Sequence, residues 1–159
     1  MEGSEEMTYW LDVYTPKAWE DSKKMKWTFS GFPESRELLT KNIHKNDVLI
    51  CYMTGKSLWF GALKVCSDLF DCRTDIIWSE KLCPWRFHVK PIVLLEPEQA
   101  IPAKDLLNRL RMFDKLKNKQ NWGGPLRTSP RRMYDEDAEL VINELKKRFQ
   151  LSEMNQVKS

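Results

Sequence analysis

Short apolar runs separated by turn residues predict strands along the first two thirds of the chain. Residues 9–14 are aromatic and β-branched, and residues 47–53 are mostly apolar, as in a strand covered on both faces. A turn at 54–56 leads to a hairpin partner at 58–65. Alternation of apolar and polar residues at 85–91, continued by an apolar run to residue 95, predicts a further strand.

Helical patterns lie between and after these strands. Thr15 followed by Pro16 predicts an N-cap and a first helical residue for a helix that runs to about Lys24. Further helices are predicted at 104–113 and at 135–149, where apolar residues recur at helical spacing. The other segments are predicted as a loop or short extended piece at 26–33, a short helix or turn at 35–42, a polar stretch at 67–81 and a basic loop at 126–132.

Strands with two or three peripheral helices predict an α+β fold built on a small curved β-sheet or barrel. A length of 159 residues fits one domain with a core of its own. We place this domain at residues 7–149, between a flexible tail at 1–6 and a disordered tail at 150–159.

Composition narrows the function only slightly. The net charge of +3 is compatible with nucleic-acid binding, and seven tryptophans are several times the usual number, which favours either a rich core or flat surfaces for stacking. No apolar segment reaches the length of a membrane span, and the acidic start is unlike a signal peptide. The four cysteines lack zinc-site spacing, so we expect free thiols, a cytoplasmic protein, and neither metal nor cofactor.

Signatures of catalysis are missing from the sequence. The two histidines, His44 and His88, have no nucleophile motif beside them, and the chain has no phosphate-binding loop and no zinc-protease motif. The carboxylates are scattered, as on a solvated surface. We therefore expect a binding protein rather than an enzyme.

Two tryptophans lie where a ligand could reach them. Trp27 occupies a basic loop after the first helix, and Trp78 lies in the polar stretch between strands. Two facing indoles would hold a flat base by stacking, at roughly 1–3 kcal/mol for each contact. Either residue could equally be a half-buried part of the core. Trp10 and Trp19 are interpreted as structural, while Trp59, Trp85 and Trp122 could belong to the core, the pocket floor or the rim.

A cluster of basic residues precedes the last helix, with almost no acidic residue among them. Together with Gly123, Gly124, Thr128 and Ser129, such a segment suits contact with phosphate through side chains and backbone N–H groups. A solvated loop is the competing interpretation. The basic residues are Lys115, Lys117, Lys119, Arg127, Arg131 and Arg132.

The order and spacing of several segments resemble the EVE domain, a branch of the PUA superfamily related to the YTH readers of methylated adenine. The resemblance spans residues 7–149, and no segment is a sharp motif alone. The matching segments are YWLDVYT (9–15), AWE (18–20), KWTF (26–29), NDVLICY (46–52), FGALKV (60–65), IIW (76–78), CPWRFHVKP (83–91) and the stretch 119–134.

The resemblance implies roles for particular residues. Trp27 and Trp78 would form two walls of a base-binding cage, and Leu82 or a neighbour would form a third, apolar wall. The rim of the first strand would contact the edge of the base. A further set, which includes the late basic loop, would bind backbone phosphate. The edge residues are Asp12, Tyr14 and Thr15, and the phosphate-binding residues are Lys26, Arg127, Thr128, Arg131 and Arg132.

The YTH pattern carries an asparagine near the position of Thr15, and its absence here leaves the identity of the base open. The main hypothesis is a module that flips a modified, methylated base of DNA into the cage. Such a module would target a modification-dependent restriction system of the McrB type, with other domains or subunits as partners. The alternatives are a reader of methylated adenine or another modified base in RNA, and a protein that binds or processes a small molecule or nucleoside.

Overall fold

A curled half-barrel sheet forms the centre of the molecule in a computed structural model that describes residues 7–116 and 122–158. The α+β class and the curved sheet with peripheral helices are confirmed. The predicted flexible tail at residues 1–6 lies outside the described residues.

The described part of the sheet runs in the order β2-β6-β4-β3-β1-β8, with β5 paired to β6 and β7 paired to β4. The parallel pair β1 and β3 is joined through a helical crossover, and the other pairs are antiparallel. The strands are β1 (Tyr9–Tyr14), β2 (Phe29–Phe32), β3 (Val48–Met53), β4 (Leu58–Val65), β5 (Phe70–Asp71), β6 (Trp85–Leu94), β7 (Ile101–Pro102) and β8 (Arg131–Arg132).

The middle strands carry the core. Every residue of β3 is buried, as its apolar run predicts. The register shifts between Cys51 and Tyr52 on β3 and between Ala62 and Leu63 on β4. Such irregularities bend the strands and increase the local twist, which is how a sheet of this size curls.

Four helices flank the described sheet: α1 (Pro16–Lys24), α2 (Glu37–Thr40), α3 (Ala103–Leu106) and α4 (Asp135–Lys158). The predicted cap of α1 is confirmed, because the Thr15 hydroxyl accepts a hydrogen bond from the Ala18 backbone N–H at 3.0 Å. Helix α4 buries Ala138, Val141 and Leu145 against the core.

The predicted helix at 104–113 is wrong beyond its first turn. α3 ends at Leu106, and a separate 3₁₀ turn spans Arg111–Phe113. The Asp137 carboxylate accepts hydrogen bonds from the backbone N–H groups of Arg111 and Met112, at 2.8 and 2.9 Å. Those N–H groups would otherwise bond to carbonyls one turn earlier, so a contact from α4 interrupts the helix.

Two further predictions need correction. α4 continues to Lys158, so residues 150–158 are helical rather than a disordered tail. This stretch contains no Gly or Pro to end the helix. At 26–33, by contrast, the predicted alternative of a short extended piece is confirmed, because this segment contains β2, which pairs with β6 through Ser30 opposite Phe87. The predicted basic loop at 126–132 ends in the short edge strand β8.

Candidate functional site

A cavity of about 540 Å³ opens beside the carboxyl end of β1. Its walls come from β1, the start of α1, the end of β2, the segment before β6 and the segment after residue 126. The lining residues are Asp12, Val13, Tyr14, Thr15, Ala18, Gly31, Phe32, Pro33, Arg36, Thr54, Trp78, Glu80, Lys81, Cys83, Arg127, Thr128 and Ser129.

The structure brings six of the predicted site residues together around this cavity. They are the three edge residues Asp12, Tyr14 and Thr15, the cage residue Trp78, and the phosphate-binding candidates Arg127 and Thr128.

Trp78 forms a rigid part of the wall. Its indole Nε1 donates a hydrogen bond to the Ser22 hydroxyl on α1 at 3.0 Å, and the side chain is buried. The guanidinium of Arg86 lies 5.3 Å from the ring centroid, as a cation–π contact. Because Arg86 covers one face, at most one face of the indole is left to stack on a ligand.

The close approach of β2 to Trp78 requires a glycine at position 31. A Cβ atom there would lie 2.5 Å from Trp78 Cζ3 and 3.1 Å from the Cβ of Cys83. Carbon atoms at ordinary contact are about 3.5–4.0 Å apart. The absence of a side chain at Gly31 therefore lets the indole lie against the strand.

The segment after Trp78 is fastened to α1. The buried Asp21 carboxylate accepts hydrogen bonds from the backbone N–H and the hydroxyl of Ser79, both at 3.0 Å. These bonds, and the nearby ammonium of Lys17, lower the pKa of Asp21. The Thr15 hydroxyl donates to Glu80, so the N-cap residue of α1 also holds the cavity rim.

Arg86 holds the same segment from the other side. Its buried guanidinium group donates to the backbone carbonyls of Cys83 and Asp75. Among the described residues no carboxylate forms an ion pair with it. The wall that carries Trp78 is thus anchored on α1 and on β6.

Asp12 is a buried acid in the wall of the cavity. The residue is 3% exposed, and its Oδ2 accepts hydrogen bonds from the Tyr14 hydroxyl at 2.9 Å and the Ser30 hydroxyl at 2.8 Å. Burial raises the pKa of Asp12 to about 7, although the two hydrogen bonds act in the opposite direction. An acid of this kind exchanges a proton close to neutral pH.

Trp27 does not line the cavity. It packs into the core, with its ring centroid 5.6 Å from those of Tyr14 and Phe60 and 6.2 Å from that of Trp19. The backbone φ angles of Lys26 and Trp27 are 62° and 56°, a left-handed pair that non-glycine residues seldom adopt. This turn directs the indole inward, so the expected pair of facing indoles, Trp27 and Trp78, is not formed.

Four other predicted site residues also lie outside the cavity lining. Leu82 is 41% exposed, although its neighbours Lys81 and Cys83 do line the cavity. The Lys26 side chain is exposed on the surface. Arg131 and Arg132 lie on the edge strand β8 and line a separate depression of about 490 Å³.

The basic patch predicted before the last helix is only partly described. Lys117 and Lys119 lie outside the described residues, and Lys115 lines the depression beside β8. Among the described members of the patch, Arg127 lines the cavity. In the described part of the chain it lies at the rim with Arg36 and Lys81, near the carboxylate of Glu80.

Ser30, Gly31 and Arg36 are among the residues at the cavity that sequence reasoning missed. The first two lie in the segment FSGFP, where a glycine inside an aromatic run signals close backbone approach. Arg36 carries no local signal, because the turn before α2 brings it to the rim.

The remaining tryptophans are parts of the packed interior. Trp10 donates from Nε1 to Asp47 at 3.0 Å, and Trp59 is fully buried. Trp19, Trp85 and Trp122 are partly buried against the core. The four cysteines are free thiols. Within the described ranges no cluster of His, Cys, Asp or Glu is arranged to hold a metal ion, and no helix has the length and apolarity to cross a bilayer.

Comparison with solved structures identifies the fold. The YTH domain of Mmi1, solved in complex with RNA, aligns with a TM-score of 0.62 and 10% identity over 92% of this chain and 82% of its own. The Pho92 YTH domain in complex with m6A gives a TM-score of 0.62 and 15% identity, with coverage of 92% and 87%. Rpa0253 from Rhodopseudomonas palustris gives 0.60 and 13%, with coverage of 88% and 94%.

At these identities the likeness establishes a YTH-like half-barrel fold. No protein-family model matches the chain, and a search of curated proteins finds no match.

Proposed function

We propose that this protein binds RNA and holds one modified base in the cavity beside β1. The observation that carries the proposal is the cavity itself, which combines the Trp78 wall, the buried Asp12 carboxyl and a basic rim. Its volume lies within the range of about 300–1,000 Å³ that is usual for small-ligand sites. No chemical step is assigned to the site.

The lining suits a flat heterocycle. Trp78, Tyr14 and Phe32 contribute aromatic surface, and the other apolar residues include Pro33 and Cys83. Polar residues also line the cavity, and among them the buried Asp12 could meet a base edge. Aromatic and apolar surface combined with polar groups is typical of a site that orients one ring.

The charge of the cavity rim is suited to contact the RNA backbone on either side of that base. Of the described lining residues, Arg36, Lys81 and Arg127 are positively charged, and Glu80 is the negatively charged one beside them at the rim. Contacts from arginine and lysine to phosphate supply affinity without sequence preference. The base in the cavity would therefore supply the selectivity.

RNA is preferred over DNA because the similar YTH structures were solved with RNA and with m6A. The resemblance to EVE domains, and the link to modified DNA and a restriction system that it implies, stays a prediction. A DNA probe in the binding experiment tests it directly.

The test is fluorescence polarisation with a labelled single-stranded RNA that contains one N6-methyladenosine, beside the unmodified RNA and a DNA duplex with one 5-methylcytosine. We expect the modified RNA to bind most tightly. Trp78→Ala should weaken its binding by roughly 5- to 150-fold, the equivalent of one lost stacking contact. Trp85→Ala is the matched control, because Trp85 lies outside the cavity lining.

A second pair of variants each removes one positive charge without disturbing the core. Arg127→Ala should reduce the salt dependence of binding by about 0.7 in the log–log slope, as expected for one lost phosphate contact on a single strand. Arg148→Ala removes the same charge from α4, away from the cavity, and should leave the slope unchanged. Equal binding of modified and unmodified RNA would refute the proposal, and preference for the DNA duplex would favour the DNA hypothesis.

A further inference from the structure

Three aromatic rings meet on one face of the sheet formed by β2, β5 and β6, at a place that the proposed base site does not use. Phe29, Phe70 and His88 form this ring cluster, and none of them lines the cavity. The His88 ring centroid lies 4.7 Å from that of Phe29 and 5.2 Å from that of Phe70. His88 is exposed and both phenylalanines are half-buried, so the cluster presents flat ring surface to solvent.

Strand register explains why the rings meet. Phe29 is paired with His88, and Phe70 is paired with Arg86, which precedes His88 by two residues on β6. Paired residues, and residues two apart on one strand, project from the same face of a sheet. Arg86 is buried and bonded to the segment that carries Trp78. The ring cluster is therefore a separate surface, on the far side of the cavity wall.

Two lysines continue the same face. Lys90 follows His88 by two residues on β6 and is paired directly with Lys64 on β4, and both lysines are exposed. Like charges directly opposite each other destabilise a strand pair. Among the described residues no carboxylate forms an ion pair with either lysine. An anion between the two ammonium groups would offset this repulsion, and a phosphate group of a nucleic acid is such an anion.

Two acidic residues adjoin the ring cluster in the sequence, and one of them is already neutralised. Asp71 forms an ion pair with Arg73 at 3.0 Å and is paired with Trp85, on the opposite face of the sheet from Phe70. Asp68 is exposed in the bend before β5 and leaves one negative charge beside two positive ones. Surface rings beside lysines are typical of sites that bind single-stranded nucleic acid without sequence preference, through base stacking and phosphate contacts.

We propose that the ring cluster and the Lys64–Lys90 pair form a second binding surface for single-stranded RNA, on which an unmodified base stacks while the two lysines contact the adjoining phosphates. The inference rests on the proposed function for its class of ligand and adds a second site to it. The cavity selects the modified base, and this surface holds the strand irrespective of its sequence.

Two labelled RNA probes separate the two sites in fluorescence polarisation. One is dodecauridine, which has no methylated base, and the other is a trinucleotide with N6-methyladenosine at its centre. His88→Ala should weaken dodecauridine binding about fivefold or more, the lower limit for one lost stacking contact, and His88→Tyr should restore it by replacing the ring. His44→Ala removes the other histidine, in the turn before β3, and should bind as wild type. All three variants should bind the trinucleotide normally, whereas Trp78→Ala should weaken only the trinucleotide.

A double variant tests the two lysines. Lys64→Gln combined with Lys90→Gln should reduce the log–log salt slope for dodecauridine by about 1.4, which is about 0.7 for each lost phosphate contact on a single strand. Lys104→Gln combined with Lys146→Gln removes two exposed charges from α3 and α4 and should leave the slope unchanged. Thermal unfolding checks that each variant is folded, and the Lys64/Lys90 variant should be at least as stable as wild type because the paired charges repel.

Dodecauridine binding that is unchanged in either His88→Ala or the Lys64/Lys90 variant would overturn the inference, as would a wild-type protein that does not bind dodecauridine. If the wild-type protein self-associated without RNA in analytical ultracentrifugation and His88→Ala abolished this, the face would be a contact between copies of the chain and the inference would be wrong. Failure of the wild-type protein to bind the trinucleotide would refute the proposed base site, while dodecauridine binding that is weakened in both variants would still support the second surface.

Discussion

A methyl group at position 31 tests whether the Trp78 wall is as tightly packed as the structure shows. In Gly31→Ala the new Cβ would lie 2.5 Å from Trp78 Cζ3 and 2.8 Å from Cη2, about 1 Å inside ordinary carbon contact. The indole cannot retreat freely, because Ser22 holds its N–H and Arg86 lies over its face. Overpacking of this kind costs about 1–3 kcal/mol.

For a chain of this length, that loss corresponds to a fall in Tm of roughly 3–10 °C. Two other glycines provide controls for thermal unfolding. A Cβ at Gly61 would lie 2.7 Å from Leu94 Cδ2 and 2.9 Å from the Val93 carbonyl oxygen, so Gly61→Ala should also be destabilising, but Gly61 does not line the cavity. A Cβ at Gly123 meets no atom within 4 Å, and Gly123→Ala should change stability by less than about 0.5 kcal/mol.

An RNA-binding assay distinguishes the two destabilised variants, Gly31→Ala and Gly61→Ala. Gly31→Ala displaces the indole and should weaken binding of the methylated RNA, whereas Gly61→Ala should retain it at a temperature where both are folded. If Gly31→Ala were as stable as Gly123→Ala and bound RNA normally, tight packing of Trp78 against β2 would not be what fixes the indole wall of the cavity.

Of three further predictions, two concern the anchors of the site and one concerns the buried Asp47. The pKa of Asp21 is lowered on folding, so its contribution to stability is present above the pKa of the unfolded state and is lost as pH falls. Asp21→Ala should accordingly be destabilised near pH 7 and approach wild type in acid, as chemical denaturation at several pH values would show, and a constant difference would contradict this. Ser22→Ala leaves the buried Trp78 N–H unpaired and should cost about 1–3 kcal/mol, measured by urea unfolding, with Ser79→Ala as a milder comparison that keeps the backbone N–H bond to Asp21. Asp47→Ala removes the acceptor of an indole N–H and two backbone N–H groups and should lower Tm by several degrees, a result that an unchanged melting curve would refute.

Part of the candidate site could be predicted because it depends on one strand and its exit. The resemblance implies Asp12, Tyr14 and Thr15 as edge residues through a matching segment that covers β1 and the residue after it, and all three line the cavity. Trp78 was identified through a resemblance in the order of segments, and the structure places it at the same cavity. Its anchors on Ser22 and Asp21 lie 56 and 58 residues away along the chain, so no local pattern reveals them.

The hydrophobic pattern of the sequence determined the class of fold, the central strands and the capped first helix, because strand alternation and capping are set by neighbours in the chain. Only the tertiary structure decided the direction of each tryptophan. Two left-handed residues turn Trp27 into the core, and a glycine lets Trp78 approach β2, so the expected pair of indole walls becomes one wall facing a buried acid. The pKa of Asp12 likewise depends on burial by distant segments, which raises it. This burial cannot be inferred from the residues that adjoin Asp12 in the sequence.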